Sequence, residues 1–496
     1  MKFSNQPSIV AAAPSPGINP YGFPLGVPSP EQADVNNGIR KLGLLFALGV
    51  VYLRYSLFHE VLSYYGGFNT KVLYLFAIPA MFFLVFSNGF RRIFSARSAF
   101  YWLAFIAWMG VTVIFSIWRG DSASYVWTYL RTDLPMLFFL AGLPMTWKEC
   151  RMVFYTIALA GITSVSFSLF FGYSNYYSSG RSGLAFGTMS NPNDYAGILI
   201  LALPFIVFMV LRPMNVFFPI RILFQLAGLA AGVYGFYLVL ASGSRGAVVA
   251  ILACLVFAFF NSRASVRIAL LVVVPLAGVG VISVLPATTL SRLESFSTGA
   301  QAIDTEATES ARMRQNLLMA SIHDTLTHPI FGVGPGQFPN YEGKGKTHQQ
   351  GGFITSHNSY TEISSETGLP GIFFYAAGIF SAFLLLLRTW KVTEQFPQTK
   401  EISTACFCLA LSCVGFCVAI FFLNFAYFFY LPGFSGLIIS LSAAVKWETS
   451  LLSAVPQTPP PPAFTAFTGR RPTPSWAVDQ SKPAPPPTRF PLNRYR

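Results

Sequence analysis

The sequence predicts an all-α protein that crosses a membrane many times. Hydrophobic residues make up 53% of the 496 residues, and charged residues make up only 10%. A soluble globular protein carries about 25% charged residues. Long apolar runs alternate with short polar segments, as expected when most of the surface faces hydrocarbon, where a charge is costly.

The apolar runs predict about twelve transmembrane helices. A bilayer core of roughly 30 Å requires about twenty apolar residues in a helix. The predicted spans lie near residues 42–63, 71–88, 99–118, 126–146, 152–172, 194–211, 219–241, 245–260, 268–286, 369–387, 402–423 and 426–445. The first is interrupted by Arg54, His59 and Glu60. A long polar interval, residues 287–368, separates the ninth span from the tenth.

Basic residues predict the orientation in the membrane. One alternating set of loops contains Arg91, Arg92, Arg97, Lys148, Arg151, Arg212, Arg221, Arg263, Arg267, Arg388, Lys391 and Lys400. The other set has little beyond Lys71, Arg119, Arg181 and Arg245. Because cytoplasmic loops carry the excess of Lys and Arg, the first set and both termini are predicted to be cytoplasmic. Residues 287–368 are then predicted to lie on the opposite face, which in a bacterial inner membrane is the periplasm.

Composition predicts the domain organisation. Residues 1–39 and 447–496 are rich in proline and are expected to be disordered cytoplasmic tails, the second one basic. Transmembrane helices 1–9 occupy 40–286, the periplasmic loop with amphipathic helices occupies 287–368, and helices 10–12 occupy 369–446. The formal net charge is +14, but the basic residues are scattered between apolar runs. We therefore expect membrane lipids, and no nucleic acid, as partners.

Arg245 is the first candidate for binding an anion. It follows Ser242, Gly243 and Ser244 and precedes Gly246 at the outer end of a predicted span. Small residues let a bulky anion approach the backbone, and the unsatisfied N–H groups of a helix start favour negative charge. The alternative is an arginine that reaches for lipid phosphates.

Arg312 and Arg314 form the second candidate site. They precede a segment, up to Thr327, whose apolar residues recur at helical spacing: Leu317, Leu318, Ile322 and Leu326. This pattern predicts an amphipathic helix that lies against the body of the protein. Paired guanidinium groups suit a diphosphate, since each can donate two charge-assisted hydrogen bonds. A solvated helix start is the alternative interpretation.

His357 is the third candidate, directly before a predicted span. An imidazole can take a proton from a hydroxyl near neutral pH, or orient that hydroxyl for attack. Glu362 and Glu366 could orient the ring, although a structural role is favoured for each. The other histidines of this interval are interpreted as loop or surface residues: His323, His328 and His348.

No metal site is expected. Four of the six cysteines lie in one apolar run and are interpreted as packing residues: Cys406, Cys408, Cys413 and Cys417. Zinc ligands would instead be expected on a polar loop. The acidic residues Asp304 and Glu306 belong to a polar run that we interpret as a flexible connector.

Four segments in a defined order carry a resemblance to a known family. They are GTMSNPNDYAGIL at 187–199, SGSRGA at 242–247, RQNLLMASIHDTLTHPIFGVGPGQF at 314–338 and HNSYTEISSETGLPG at 357–371. In a chain of about twelve spans, this order resembles the O-antigen ligase and Wzy polymerase superfamily of bacterial membrane glycosyltransferases. The resemblance covers residues from about 185 to 390, and the first six spans only by general topology.

The resemblance implies a GT-C-like fold and a glycan donor on undecaprenyl diphosphate, with no metal, nucleotide or other cofactor. It implies that arginines bind the donor diphosphate and that a periplasmic histidine lies at the acceptor. By motif position these residues are Arg245, Arg314 and His357, with Arg312 as the fallback. The tryptophan that the family carries shortly after the second arginine is replaced here by Leu318.

The resulting hypothesis is an inverting glycosyltransferase of cell-surface polysaccharide biosynthesis. As a ligase it would use lipid A-core or a protein as acceptor, in lipopolysaccharide or related assembly. As a polymerase of O-antigen or exopolysaccharide it would use another lipid-linked repeat, and the sequence does not separate the two. A transporter of lipid-linked oligosaccharide is the third interpretation. Arg131 and Asp133, within the fourth span, would suit it, unless they pair with each other.

Overall fold

The described part of the chain is entirely helical. A computed structural model describes residues 34–67, 71–171, 187–214, 216–283, 305–344 and 353–454, together with residues 285 and 290. These residues form helices, turns and loops without a strand, which confirms the predicted all-α class. Those up to Leu452 belong to one compact unit. Most of both predicted tails lies outside the described residues, as do Arg181, Asp304 and His348.

Seventeen helices can be followed along the described ranges. They are α1 (Gly38–Ser56), α2 (Phe58–Gly66), α3 (Val72–Phe86), α4 (Gly89–Ile93), α5 (Arg97–Phe115), α6 (Arg119–Thr132), α7 (Pro135–Gly142), α8 (Trp147–Phe170), α9 (Pro192–Leu211), α10 (Phe218–Ala241), α11 (Arg245–Asn261), α12 (Ala264–Ile282), α13 (Thr305–Thr327), α14 (Phe338–Gly343), α15 (Ser359–Glu394), α16 (Lys400–Ala419) and α17 (Tyr430–Ala454).

Six of the described helices are long and apolar enough to cross a membrane. They are α5, α8, α9, α10, α15 and α16, the last together with the 3₁₀ turn Pro397–Thr399 before it. The pair α1 and α2, bent by 71°, forms a seventh if it is one span. Helix α3, helix α11 and most of α12 are apolar but shorter. The chain is therefore a multi-pass membrane protein, while the count of twelve spans stays a prediction.

Two predicted spans are each divided into two helices, and a polar contact joins one span to the other. The predicted fourth span, 126–146, is two helices, α6 and α7, separated at Asp133. The Asp133 carboxylate accepts a hydrogen bond from the Arg54 guanidinium, in the interrupted first span, and another from the backbone N–H of Phe429 (3.2 Å). Arg131 is exposed. The suggested pairing of Arg131 with Asp133 is therefore wrong, because Asp133 pairs with Arg54.

Helix α17 lies at the centre of the helix bundle. Residues 430–442 of this helix are all buried. The Ser435 hydroxyl accepts a hydrogen bond from the Trp102 indole of α5 (2.8 Å). The Phe434 ring lies 6.2 Å from Phe205 of α9 and 6.4 Å from Phe416 of α16. Outer helices instead expose large apolar side chains, as hydrocarbon-facing surfaces do. On α10 these include Leu223, Leu226, Leu229 and Val233.

The loops that are predicted to be cytoplasmic meet at one end of the bundle. Three ion pairs join them: Arg40–Glu149 (2.8 Å), Arg92–Asp34 (3.3 Å) and Arg151–Glu401 (3.1 Å). Arg40 is fully buried, and its guanidinium also donates to the Leu143 carbonyl. The alternating assignment of loops to two faces therefore agrees with their spatial grouping, and the candidate residues Arg245, Arg314 and His357 belong to the other group.

Candidate active site

Arg245 is the first residue of α11, directly after a tight turn. Gly243 makes this turn possible because its φ of 62° lies in the left-handed region, which favours glycine. The buried Ser244 caps the helix, accepting a hydrogen bond from the backbone N–H of Ala247 (3.4 Å). Arg245 itself is half-buried. A cation at a helix N-terminus adds to the positive end of the helix dipole, so this position favours an anion.

Residues 420–425 bring the start of α11 together with the starts of two other helices. The Cβ of an alanine at Gly246, on α11, would lie 2.7 Å from the Phe422 side chain. Gly197, in the second turn of α9, packs against Leu423 in the same manner. Asn193 of α9 and Ser244 line one narrow crevice with these residues. The absence of side chains at Gly246 and Gly197 allows this close approach.

The start of α15 is anchored to the same segment. The backbone N–H of Ser359 donates to the Ile420 carbonyl (3.0 Å), and the Ser359 hydroxyl donates to the Leu423 carbonyl (2.8 Å). The Ser359 hydroxyl also accepts a hydrogen bond from the backbone N–H of Phe425 (2.9 Å). Three helix N-termini, those of α9, α11 and α15, therefore surround residues 420–425.

His357 lies just before α15 in a restricted backbone conformation. Its φ is 53°, which is uncommon outside glycine, although histidine and asparagine tolerate it. The next residue, Asn358, caps α15 by accepting hydrogen bonds from the N–H groups of Tyr360 (3.0 Å) and Thr361 (3.1 Å). The cap and the anchored Ser359 fix the backbone on one side of His357. The imidazole is half-buried.

The electrostatic environment keeps the His357 ring neutral. Burial lowers its pKa to about 4, and the positive charge of Arg314 contributes to the decrease. Neutral imidazole can accept a proton, whereas imidazolium cannot. The ring can therefore act as a proton acceptor near pH 7. Because Arg314 contributes, an anion bound at Arg314 would raise the pKa of His357 again.

Arg314, rather than Arg312, faces this site. Arg314 is half-buried on α13 and interacts electrostatically with both His357 and Asp194. Arg312 is exposed. Asp194 lies in the first turn of α9, after Asn191 and Pro192, which start that helix. The motif at 187–199 contains Asp194. Acidic residues are common in the first turn of a helix, where they stabilise the helix dipole, so the sequence alone did not identify Asp194 as a site residue.

Helix α13 ends at Thr327, as the apolar pattern predicts, but it buries a different face. Of the predicted stripe, Leu317 is buried, while Ile322 and Leu326 are 39% and 71% exposed. The buried positions instead include Ser321, Asp324 and Thr325. The Thr325 hydroxyl is 2.8 Å from that of Ser364 on α15. The apolar stripe does not identify the buried face, because hydroxyl groups that find hydrogen-bond partners can be buried at little cost.

Glu366 has a structural role, as the sequence favoured. The residue is fully buried, and its carboxylate accepts hydrogen bonds from the backbone N–H groups of Gly336 (2.7 Å) and Phe338 (3.1 Å). The Tyr427 hydroxyl donates a third (2.7 Å). Glu366 thus holds the glycine-rich loop 332–338 rather than the His357 ring.

The other acidic and histidine candidates also serve the surrounding structure. Glu362 is buried beside the Asn424 amide, which donates to it (2.7 Å) when its nitrogen faces the carboxylate. The His328 carbonyl accepts a hydrogen bond from Gly332 (3.0 Å), which agrees with the predicted role in shaping the loop. His323 is exposed. Within the described ranges, no group of three or more His, Cys, Asp or Glu side chains could hold a metal ion.

The fold and this site define a multi-pass helical membrane protein with a cationic, histidine-bearing site at one end. Residues 230–376 match the family described as O-antigen ligase. The match confirms the predicted relation to the O-antigen ligase and Wzy polymerase superfamily. It covers Arg245, Arg312, Arg314 and His357, whereas Asp194 and residues 420–425 lie outside it. Among curated proteins, no sequence matches the chain.

Proposed function

We propose that this protein transfers a glycan from undecaprenyl diphosphate to an acceptor hydroxyl at the periplasmic face of the bacterial inner membrane. One observation carries the proposal: the starts of α9, α11 and α15 meet around residues 420–425. Arg245 begins α11, His357 precedes α15, and Arg314 lies within electrostatic range of His357. Positive charge and a neutral proton acceptor are the two features that displacement of a diphosphate leaving group requires.

In the proposed reaction, the oxygen of the acceptor hydroxyl attacks the anomeric carbon of the donor sugar. The bond between that carbon and the diphosphate oxygen breaks, and undecaprenyl diphosphate leaves. His357 takes the hydroxyl proton, while Arg245 and Arg314 stabilise the negative charge that grows on the diphosphate. Asp194 orients the Arg314 guanidinium. A single displacement of this kind inverts the configuration at the anomeric carbon.

The proposal includes the membrane topology. Twelve spans, cytoplasmic termini and a periplasmic loop at 287–368 would place Arg245 and His357 in the outer half of the protein. The grouping of the predicted cytoplasmic loops through Arg40–Glu149 and Arg151–Glu401 supports this arrangement. The helices α3, α11 and α12 would then be the short spans.

A reconstituted transfer assay tests the function. The purified protein would be mixed with undecaprenyl-diphosphate-linked glycan from its own host, in the presence of EDTA and without nucleotide. We expect a new covalent product, lost in His357→Ala. Label on lipid A-core or on a protein would identify a ligase, and longer lipid-linked chains a polymerase. A donor that crosses the bilayer without any covalent product would contradict the proposal and favour a transporter.

A further inference from the structure

Helices α1 and α2 meet at a sharp elbow around Leu57. The two helices are bent by 71° relative to each other, and Leu57 has a φ of 55°, which is uncommon outside glycine. The Ser56 hydroxyl donates to the Tyr52 carbonyl (2.6 Å) and accepts a hydrogen bond from the backbone N–H of Phe58 (3.2 Å). The elbow is therefore held by local hydrogen bonds, and it sets the direction of α2.

Glu60, in the first turn of α2, binds a segment that is distant in the sequence. Its carboxylate accepts hydrogen bonds from the backbone N–H and from the hydroxyl of Thr188 (2.8 Å each), 128 residues further along the chain. Hydrogen bonds to an ionised acceptor are roughly twice as strong as those between neutral groups. Gly187 has a φ of 62°, and a Cβ at this position would overlap the Glu60 carboxylate. The close approach of the carboxylate therefore requires glycine at position 187.

The segment that this carboxylate holds leads directly into α9. Asn191 alone separates the 3₁₀ turn Gly187–Ser190 from the first residue of α9. The Asn191 side chain accepts hydrogen bonds from the backbone N–H of Asn193 (3.0 Å) and from its side-chain amide (3.1 Å). A displacement of the turn would therefore displace the first turn of α9, which carries Asp194.

We propose that Glu60 is a positioning residue for the candidate active site. It holds the turn before α9 and thereby places Asp194 where its carboxylate orients Arg314. Asp194 interacts electrostatically with Arg314, and Arg314 with His357. The inference rests on the proposed function for its activity measurements. It assigns a role to the bent first span, which lies outside the family match at residues 230–376.

Transfer rates of Glu60 variants separate positioning from a direct chemical role. Glu60→Ala removes both hydrogen bonds to Thr188 and should lower kcat/KM on the order of 10–100-fold, as small displacements within a site do. Glu60→Gln should stay within about threefold of the parent protein, because the glutamine oxygen can accept from the backbone N–H while the Thr188 hydroxyl accepts from the glutamine amide. Glu394→Gln, which neutralises an exposed carboxylate at the end of α15, is the control and should leave the rate unchanged. A Glu60→Gln protein as inactive as Glu60→Ala would overturn the inference, since only a direct chemical role requires the charge.

A double-mutant cycle with Asp194 tests the route of the effect. If Glu60 acts through Asp194, Glu60→Ala should cost less than about threefold in an Asp194→Asn protein, because the residue that it positions has already lost its charge. A merely structural role would instead give the same loss in both backgrounds. That result would overturn the inference.

Hydrogen exchange tests the hold on the turn independently of activity. In the full-length protein in phospholipid nanodiscs, Glu60→Ala should speed exchange in peptides that cover residues 187–195 and leave peptides from α16 unchanged. Unchanged exchange at 187–195 would overturn the inference, as would faster exchange in both segments, which indicates general destabilisation. If the parent protein forms no glycan product, faster exchange confined to 187–195 would still support the positioning of α9 and overturn the transferase proposal alone.

Discussion

Two features of its environment keep His357 neutral: its burial and the positive charge of Arg314. Because the pKa of the free site is lowered to about 4, the ring binds a proton only below that pH. We expect kcat/KM, which reports the free enzyme, to fall only as the pH approaches 4. The diphosphate of the bound donor offsets Arg314, so the inflection in kcat should lie at a higher pH. Both profiles can be measured with purified donor.

His357→Asn is the control for this pH dependence. Asparagine tolerates the positive φ of position 357, so the variant should fold, yet it lacks the titrating ring. We expect little activity and no inflection of this kind. If His357→Asn kept the acid inflection of the parent protein, another group would be responsible for it.

Arg314 and Arg312 offer a matched pair on one helix. Arg314 interacts with His357 and Asp194, whereas Arg312 is exposed. Arg314→Ala should reduce the transfer rate about 100-fold, as removal of one group that stabilises developing charge does in other enzymes. Arg312→Ala should stay within about twofold of the parent protein, as surface substitutions do. Initial transfer rates of the two variants at saturating donor test this prediction. A larger loss in Arg312→Ala than in Arg314→Ala would contradict the assignment of Arg314 to the site.

At the scale of structural elements, the glycine-rich loop 332–338 sets the position of α15 relative to α5. Backbone N–H groups of Val333 and Gly334 donate to the carbonyls of Ser365 and Glu366 (2.9 Å each). The carbonyl of Val333 accepts a hydrogen bond from Ile117 (3.2 Å), after α5. Gly334 has a φ of 111° and packs directly against Ser116. The conformation of this loop thus requires glycine.

Gly334→Ala should therefore destabilise the protein, by about 2 kcal/mol or more, since it adds both backbone strain and overlap with Ser116. Gly110→Ala, on an open face of α5, has no neighbour within 4 Å and should be neutral or slightly stabilising. Thermal unfolding of both variants in detergent measures the difference. Equal Tm values would show that the loop does not need its left-handed glycine.

At the scale of the whole molecule, the Arg54–Asp133 ion pair joins the bent first span to the broken fourth one. Arg54 also lies over the Phe429 ring (4.2 Å), next to the central helix α17. Removal of one partner should leave the other charge poorly compensated. We therefore expect Arg54→Met to lower the free energy of unfolding by about 3–5 kcal/mol. The double variant Arg54→Met with Asp133→Asn should recover most of that loss. Unfolding in denaturant provides the comparison, and additive losses would contradict the coupling.

The proposed topology predicts which loops a membrane-impermeant maleimide reaches. Ser95, between α4 and α5, and Arg312, on α13, are both exposed. In intact spheroplasts, Arg312→Cys should be labelled, and Ser95→Cys should be labelled only after permeabilisation. The six natural cysteines are buried or half-buried, so the parent protein serves as the background. The opposite labelling pattern would invert the orientation.

Local sequence determined the helical class, the apolar runs and the three principal candidates, Arg245, Arg314 and His357. These features follow from composition, from spacing and from motifs of a few residues, which need no knowledge of distant contacts. The asparagine before α15 and the serine before α11 likewise act on their own helix starts. The relation to the O-antigen ligase family was recognisable for the same reason.

Tertiary structure alone decided which residues meet. The partner of Asp133 is 79 residues away, at Arg54, so neighbouring Arg131 gave the wrong expectation. The buried Thr325 hydroxyl of α13 has a partner at Ser364 of α15, whereas the apolar periodicity predicts an exposed position there. Residues 420–425 carry no motif, yet their carbonyls and side chains position three helix starts. Interactions between distant segments depend on packing geometry, which a pattern read along one chain does not contain.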